Sequence, residues 1–187
     1  NGSDDEDGIT NDPTVIVDGA DPGSTIEYST DDGDTWEEAV LDENGGFDLP
    51  EGEHENVIIR PIDDAGNAGE EYELGPITVD IVAPGPVSGD LVNDTGASNS
   101  DNLTNDATVQ VSGAEPGAII EYQIGADGIW TVAPDGQFEL PEGLSTVVNV
   151  RQTDLAGNVG PETNIGPFEV DTVAPDPITG ELENDNG

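Results

Sequence analysis

Hydrophobic and polar residues alternate in short runs along the chain, and Gly, Pro, Asp and Asn separate the runs. Clear examples are "ATVQVS" at 107–112 and "AIIEYQI" at 118–124. A period of two is typical of half-buried β-strands, and no run has the helical period. The pattern therefore predicts an all-β fold. In one stretch the predicted strands are 86–91, 107–112, 118–124, 129–133, 136–140, 145–153 and 161–170.

The same unit occurs twice. "DLAGNVGPETNIGPFEVDTVAP" at 154–175 nearly repeats "DDAGNAGEEYELGPITVDIVAP" at 63–84, and aligning 47–96 with 138–187 gives 26 identities in 50 positions. The first copy lacks an obvious counterpart of strand 86–91. Its predicted strands are 14–18, 25–30, 36–41, 46–49, 54–62 and 70–79.

About seven short strands per copy, without helices, favour an antiparallel sandwich of immunoglobulin (Ig) type. We predict two tandem Ig-like antiparallel β-sandwich domains in an end-to-end rod. The first domain is 1–82, the second is 83–174, and 175–187 is a linker or the first strand of a further repeat. The aromatic residues recur in register and are expected in the sandwich cores: Tyr28, Trp36, Phe47, Tyr122, Trp130 and Phe138.

Charge narrows the possible partners. The chain has 43 Asp and Glu against two Arg and no Lys, a formal net charge of -41. Mutual repulsion penalises the compact state, so we expect high ionic strength or bound multivalent cations to offset it. Nucleic acid and anionic membrane surfaces need basic patches and are excluded as partners. Without cysteine, neither disulfides nor thiolate metal sites form. No stretch approaches the ~20 apolar residues of a membrane span, and no signal peptide is recognised in the sequence.

Four motifs occur in the same order in both copies. In the second copy they are "GAEPG" before a strand, an Asp-Gly and Trp hairpin, "DLAGN" in a late turn and "VDTVAP" at the exit. Together they resemble the bacterial Ig-like repeats of giant surface adhesins of the RTX and biofilm-associated type. Val82 and Val173 depart from the Thr that is common there before Ala-Pro. The resemblance implies a secreted, cell-surface rod of many domains, stiffened by calcium at its junctions.

Strand polarity predicts which acidic residues meet at a junction. Successive antiparallel strands alternate between the two ends, or poles, of a sandwich. The last strand of the first copy should therefore end, at Asp80, at the pole that faces the turn with Asp154 and Asn158 in the second copy. Ca²⁺ prefers six to eight oxygen ligands, and this Asp, Asn and Gly chemistry suits it better than zinc. We expect these three residues to form the core of a Ca²⁺ site. Other predicted ligands supplement this site, serve the neighbouring junctions or line the far pole of the second copy, the end away from the first. These residues are Glu115, Asp7, Asp12, Asp63, Asn67, Asp171, Asp101 and Asp106.

Other interpretations compete with calcium binding. An Asp before Ala-Gly-Asn can simply accept backbone N–H groups and shape its turn. Catalysis is disfavoured, because the single histidine, His54, is Ser145 in the other copy and no catalytic motif occurs. We expect a non-enzymatic, monomeric rod that contacts adjacent repeats of the same chain and projects an adhesive tip. The alternative is an Ig-like module that itself binds a carbohydrate or surface.

Overall fold

The computed structural model describes residues 7–125, 128–144, 147–181 and 183. Residues 7–80 are called the first repeat and residues 83–172 the second repeat below. The first two residues of predicted strand 145–153 lie outside the described part, as do 1–6 and several positions after 181. In the described part the only helical element is a 3₁₀ turn at Pro134–Gly136.

The first repeat has seven strands, and their pairings are antiparallel with one exception. The strands are β1 (Ile9–Thr10), β2 (Thr14–Ile16), β3 (Thr25–Ser29), β4 (Glu37–Ala39), β5 (Gly46–Asp48), β6 (Gly52–Ile62) and β7 (Tyr72–Val79). One sheet has the order β1-β7-β6-β3-β4, and the other contains β2 and β5. The exception is β1, which runs parallel to β7.

The second repeat has a similar arrangement with one additional strand at its start, and the counterparts of β6 and β7 are each divided into two strands. Its strands are β8 (Ser88–Leu91), β9 (Leu103–Thr104), β10 (Thr108–Ser112), β11 (Ile119–Ile124), β12 (Thr131–Val132), β13 (Gln137–Glu139), β14 (Gly143–Leu144), β15 (Val148–Thr153), β16 (Thr163–Ile165) and β17 (Glu169–Val170). The sheets have the orders β13-β10-β8, β12-β11-β15-β16 and β14-β17-β9. Strand β8 pairs with β10, and β9 runs parallel to β17.

Each repeat has its own hydrophobic core. In the first repeat Ile26, Phe47, Val57 and Val79 are among the buried residues, and the β3/β6 and β2/β5 sheets both contribute. In the second, the core extends from Val87 to Val170. Alternating side chains of two facing sheets fill each core, as the period-two pattern requires. The prediction of an all-β, Ig-like sandwich fold is therefore confirmed.

The prediction that all six aromatic residues lie in the cores is wrong for tryptophan. Phe47 and Phe138 are buried, and Tyr28 and Tyr122 lie against them with ring centroids 4.9 and 4.1 Å apart. The tryptophans are half-buried beneath the two arginines of the chain. The guanidinium of Arg60 lies 3.7 Å from the ring centroid of Trp36, and that of Arg151 lies 4.0 Å from the ring centroid of Trp130.

An arginine on the outer face of a sheet offers the indole a cation, which is favourable on a surface with so few positive charges. Each guanidinium also pairs with a glutamate of the neighbouring strand. Arg60 Nη2 lies 2.8 Å from Glu27 Oε2, and Arg151 Nε lies 2.9 Å from Glu121 Oε2. The two tryptophans thus complete a surface ion pair in each repeat and do not fill the core.

Candidate functional site at the repeat junction

The turn 154–158, between β15 and β16, is held together by the Asp154 carboxylate. One of its oxygens, Oδ1, accepts the main-chain N–H of Asn158 at 2.8 Å, and Oδ2 accepts the Asn158 side-chain amide at 2.9 Å. The main-chain N–H of Asp154 in turn donates to the carbonyl of Asn158. Gly157 has a φ of 95°, which glycine adopts without strain. The sequence Asp-x-Ala-Gly-Asn therefore specifies this turn locally.

The segment 80–86, which connects the repeats, lies against this turn. The Asn158 side-chain amide also donates to the main-chain carbonyl of Asp80, at 2.7 Å. A methyl group built on Gly160 would stand 2.9 Å from the Pro84 carbonyl oxygen, so only glycine permits this approach. Asp154 is 7% exposed, and Ala156 and Gly160 are also buried. The structure thus brings Asp80, Asp154 and Asn158 together, as strand polarity predicts.

Gln152 is a further junction residue, outside the predicted set of ligands. Its side chain is 1% exposed, its Nε2 donates to the carbonyl of Gly85 at 2.8 Å, and its Oε1 accepts the main-chain N–H of Glu115 at 2.8 Å. One amide therefore ties the connecting segment to the "GAEPG" turn. The first repeat has Pro61 at the equivalent position. That difference between otherwise similar copies is the signal that points to Gln152.

Glu115 itself contributes its main chain to the junction. Besides donating to Gln152, it accepts the N–H of Ala118 through its carbonyl at 3.1 Å, which closes the turn before β11. The side chain is exposed. Its predicted role as a supplementary ligand stays a prediction.

In the first repeat the same turn has the same hydrogen bonds, but it is exposed. Asp63 accepts the Asn67 N–H at 2.8 Å and the Asn67 side-chain amide at 2.9 Å. These donors, the Asn67 side chain first, hold the pKa of Asp63 below its usual value. Residues 63–70 are all exposed, whereas three of the equivalent second-repeat residues are buried. The turn is therefore an intrinsic feature of the repeat, and its burial comes from what lies against it.

The remaining predicted ligands share one local geometry. In each, a carboxylate oxygen accepts the main-chain N–H of the residue two positions later, the Asx-turn arrangement. These residues are Asp7, Asp12, Asp80, Asp101, Asp106 and Asp171. Asp106 also accepts the Asn93 side-chain amide at 2.6 Å, which, as the largest effect, holds its pKa below the usual value. Turn shaping thus describes their observed contacts, and metal binding stays a prediction.

The far pole of the first repeat is assembled around Asp80. Its main-chain N–H donates to the Thr10 carbonyl at 2.9 Å, and Val79 is the register partner of Gly52. The loop containing Asp7 and Asp12 and the turn 49–52 therefore adjoin Asp80. The equivalent bond in the second repeat joins Asp171 to Thr104 at 2.9 Å.

Calcium requires more oxygen atoms than the junction's hydrogen-bonded set presents. Within the described ranges, no group of three or more Asp, Glu, His or Cys side chains is placed to hold a metal ion. At the junction the hard-oxygen donors are Asp154 Oδ2 and the Asp80 carbonyl, and the Asn158 amide lies between them. Elsewhere, Asp94 Oδ1 is buried and has no hydrogen-bond partner among the described residues; it lies in an Asn- and Asp-rich loop that includes Asp101.

The fold defines the class of protein: each repeat packs antiparallel sheets around its own core, with one parallel pair of strands, β1 with β7 or β9 with β17, and this is an Ig-like β-sandwich. Residues 83–172 then match the family model "Bacterial Ig-like domain". Such domains occur in extracellular or surface proteins and are typically non-enzymatic structural modules.

Among solved structures, the chain is similar to the fibronectin(III)-like modules of Clostridium thermocellum CbhA. The identity is 13%, the match covers 94% of this chain and 98% of that chain, and the TM-score is 0.48. No curated protein has a significant match to the sequence. In the part of the chain that the structure describes, no helix has the length and apolar character needed to span a membrane.

Proposed function

We propose that the chain is an extender segment of a large secreted bacterial adhesin. Its tandem Ig-like repeats form a rod that projects an adhesive tip from the cell, and Ca²⁺ rigidifies the acidic junctions. The observation that carries the proposal is the junction itself, where Asn158 joins the Asp80 carbonyl to the Asp154 carboxylate. An extender requires a joint that is specified residue by residue, because its work is to hold one domain at a fixed angle to the next.

The mechanical part rests on three contacts between the connecting segment and the second repeat. Asp80 is bound through Asn158, Pro84 packs against Gly160, and Gly85 is bound through Gln152. Each hydrogen bond contributes about 0.5–1.5 kcal/mol net, and a break leaves a buried donor or acceptor unpaired at about 1–3 kcal/mol. Contacts at both ends of a short segment restrict its rotation more than one contact does.

The calcium part rests on charge and on the type of donor at the junction. Asp154 is buried and acidic in a chain of formal net charge -41, so a cation beside it lowers the repulsion between the repeats. Asp154 Oδ2 and the Asp80 carbonyl are the oxygens that would hold the ion. The Asn158 amide, rotated by half a turn, would present its oxygen to the same point, and water would complete the shell. Asp94, with its unpaired buried oxygen, supplies a second candidate position.

Calcium titration tests the proposal. We expect calorimetry on the full chain to show binding, and small-angle scattering at constant ionic strength to show a longer, narrower particle with Ca²⁺ than with chelator. Asp154→Asn should remove the junction component, because it replaces the one buried carboxylate there by a neutral amide of the same shape. Asp63→Asn changes the equivalent exposed turn and is the matched control.

Two results would contradict the proposal at different levels. Scattering profiles that are identical with Ca²⁺ and with chelator would remove calcium as the stiffening agent. Profiles that show freely jointed repeats under every condition would contradict the extender function itself.

A further inference from the structure

The chain contains two peptide bonds that follow a basic residue, because it has two arginines and no lysine. They are Arg60–Pro61 in strand β6 and Arg151–Gln152 in strand β15, at equivalent positions of the two repeats. Proteases of the trypsin class bind the basic side chain before the cleaved bond in an acidic pocket. The 187 residues thus offer this class of protease two bonds to recognise.

Proline removes the first of these bonds from the set of substrates. The nitrogen of Pro61 carries the pyrrolidine ring in place of a hydrogen, and the ring crowds the residue before it. A protease must approach that nitrogen closely to protonate it as the leaving group. Gln152, the counterpart of Pro61, has an ordinary main-chain N–H. By sequence, therefore, the bond that a trypsin-like protease can cleave lies in the second repeat.

In the folded second repeat this bond lies inside a sheet. Strand β15 is between β11 and β16, and Arg151 is the register partner of Glu121 in β11. On the other side, the Gln152 carbonyl accepts the main-chain N–H of Gly160 at 2.8 Å. A protease that binds its substrate as an extended strand needs free main-chain N–H and C=O groups. Because neighbours occupy both edges of β15 here, the bond cannot enter a protease site.

The arginine side chain is also occupied. Its guanidinium lies 4.0 Å from the ring centroid of Trp130, and its Nε lies 2.9 Å from Glu121 Oε2. The Arg151 side chain is 22% exposed in this position. A trypsin-like protease must take up the whole guanidinium in its pocket, so both contacts have to break before the protease can bind.

Release of β15 requires the loss of the second repeat's core. Val148 and Val150, on the inner face of this strand, are both 0% exposed, and Gln152 is 1% exposed. Gln152 also bonds to the Gly85 carbonyl and the Glu115 N–H, at 2.8 Å each. Local fraying does not free the bond, because these side chains leave the core together. The cleavable bond therefore becomes accessible when the second repeat unfolds.

We propose that Arg151–Gln152 is a concealed cleavage site for trypsin-like proteases, exposed by unfolding of the second repeat. Hydrolysis breaks the C–N bond between these residues, and water supplies a hydroxyl to the Arg151 carbonyl carbon and a proton to the Gln152 nitrogen. The cut leaves Val148 and Val150 on one fragment and β16 and β17 on the other, so the core cannot reform within one chain. Unfolding of the second repeat thereby becomes irreversible, whereas unfolding of the first repeat leaves its chain uncut.

The site distinguishes folded from unfolded copies of the second repeat. Domains of the matching family occur in extracellular or surface proteins, where secreted proteases have access to them. A folded second repeat resists such a protease, and an unfolded one is cut once, at a defined bond. The inference goes beyond the proposed function, since it depends on neither calcium nor an adhesive tip.

Trypsin digestion of the full chain in increasing urea tests the proposal, with a small arginine ester in each sample to report that the protease stays active. We expect the native chain to stay intact and cleavage to follow the unfolded fraction of the second repeat. Mass spectrometry should find two products, residues 1–151 and 152–187. Arg151→Gln should remove cleavage at every urea concentration.

Two equivalent core substitutions assign the event to one repeat. Val148→Ala and Val57→Ala each remove two methyl groups from a residue that is 0% exposed. Val148→Ala should accelerate cleavage in the absence of urea about tenfold or more, since it raises the unfolded population of the second repeat. Val57→Ala destabilises the first repeat instead and should leave the cleavage rate unchanged.

Pro61→Gln provides the converse check. Combined with Val57→Ala, it should create a second cleaved bond, after Arg60, whereas Val57→Ala alone should not. The inference is overturned by rapid cleavage of the native chain, by cleavage of the unfolded chain before Pro61, or by equal acceleration in Val57→Ala and Val148→Ala. A chain that stays intact with active protease, in urea where circular dichroism shows unfolding, would overturn it as well. Because these readouts involve neither calcium nor particle shape, failure here leaves the extender proposal to its own test.

Discussion

At the scale of single residues, the two arginines make the same set of contacts in each repeat. Each lies over the tryptophan of its own repeat and within 3 Å of one glutamate, Glu27 for Arg60 and Glu121 for Arg151. The chain has 43 carboxylates available to these two cations, and the aromatic face decides which glutamate each one meets. The sequence shows that the tryptophans recur. It does not show that they lie on the outer face, because burial depends on which strand neighbours them.

Replacing Arg151 by Lys should destabilise the second repeat even though the charge is kept. A lysine ammonium cannot cover the indole and reach Glu121 with a planar, fixed geometry, so we expect the free energy of unfolding to fall by about 1–2 kcal/mol. Urea denaturation followed by circular dichroism measures the change. Arg60→Lys should produce a similar loss in the other repeat. Wild-type stability of both variants would show that the stacking contributes nothing.

The Asp63 carboxylate gives a local pH prediction. Its pKa lies below the ordinary value of about 3.9, chiefly because the Asn67 side-chain amide donates to it. A lowered folded-state pKa contributes stability above the unfolded-state pKa, and that contribution is lost as pH falls through the folded-state pKa. Asn67→Ala should therefore raise the pKa of Asp63 in a carbon-detected NMR titration. The pKa of Asp42, lowered mainly by the Gly46 N–H, should stay unchanged and is the control.

At the scale of elements, the period of two was sufficient to predict most strands. Predicted 107–112, 118–124 and 54–62 correspond to β10, β11 and most of β6. The parallel strands β1 and β9 were missed, because two residues are too few to show any period. Predicted 161–170 is two strands, β16 and β17, separated by Gly166 with a φ of 86°. The proximity of Asp80 and Asp154 was also predicted. That prediction came from the alternation of successive strands between the two poles of a sandwich, and no local sequence motif indicates it.

At this scale, removal of the Gln152 side chain should lower the free energy of unfolding the most. Gln152→Ala leaves the Glu115 N–H and the Gly85 carbonyl without their buried partner, so we expect a loss of about 2–4 kcal/mol in the free energy of unfolding. Amide exchange at Glu115 should accelerate in the same variant. Gln152→Met keeps the volume and removes both hydrogen bonds. If it is as stable as the wild type, the stabilisation comes from packing.

At the scale of the whole molecule, one sequence pattern has two environments. The turn 63–67 is exposed, and the turn 154–158 is covered by the connecting segment. Sequence alone predicts the two turns to be the same, and their hydrogen bonds are the same. The second turn is covered because Asp80 and Pro84 of the connecting segment lie against it, and no local pattern reveals that contact. Net charge acts at this scale as well, because 43 carboxylates repel one another across both repeats.

Stability should therefore increase with ionic strength. At about 0.1 M salt the screening length is about 10 Å, and at about 1 M it is about 3 Å, shorter than most distances between surface carboxylates. We expect the Tm in NaCl to rise steadily over this range. Replacing four exposed acidic residues by their amides, for example Glu43, Glu55, Glu70 and Glu73, should reduce the slope. A Tm that is independent of salt in both chains would mean that repulsion is not a significant term in folding.

The stack of arginine on tryptophan also makes the repeats optically separable. The chain has two indoles, one per repeat, and each has a guanidinium on its face that is lost on unfolding. A Trp36→Phe chain reports only on residues around Trp130, and a Trp130→Phe chain only on those around Trp36. Fluorescence from these two chains therefore assigns any unfolding, stretching or chelation event to one repeat, without an attached dye.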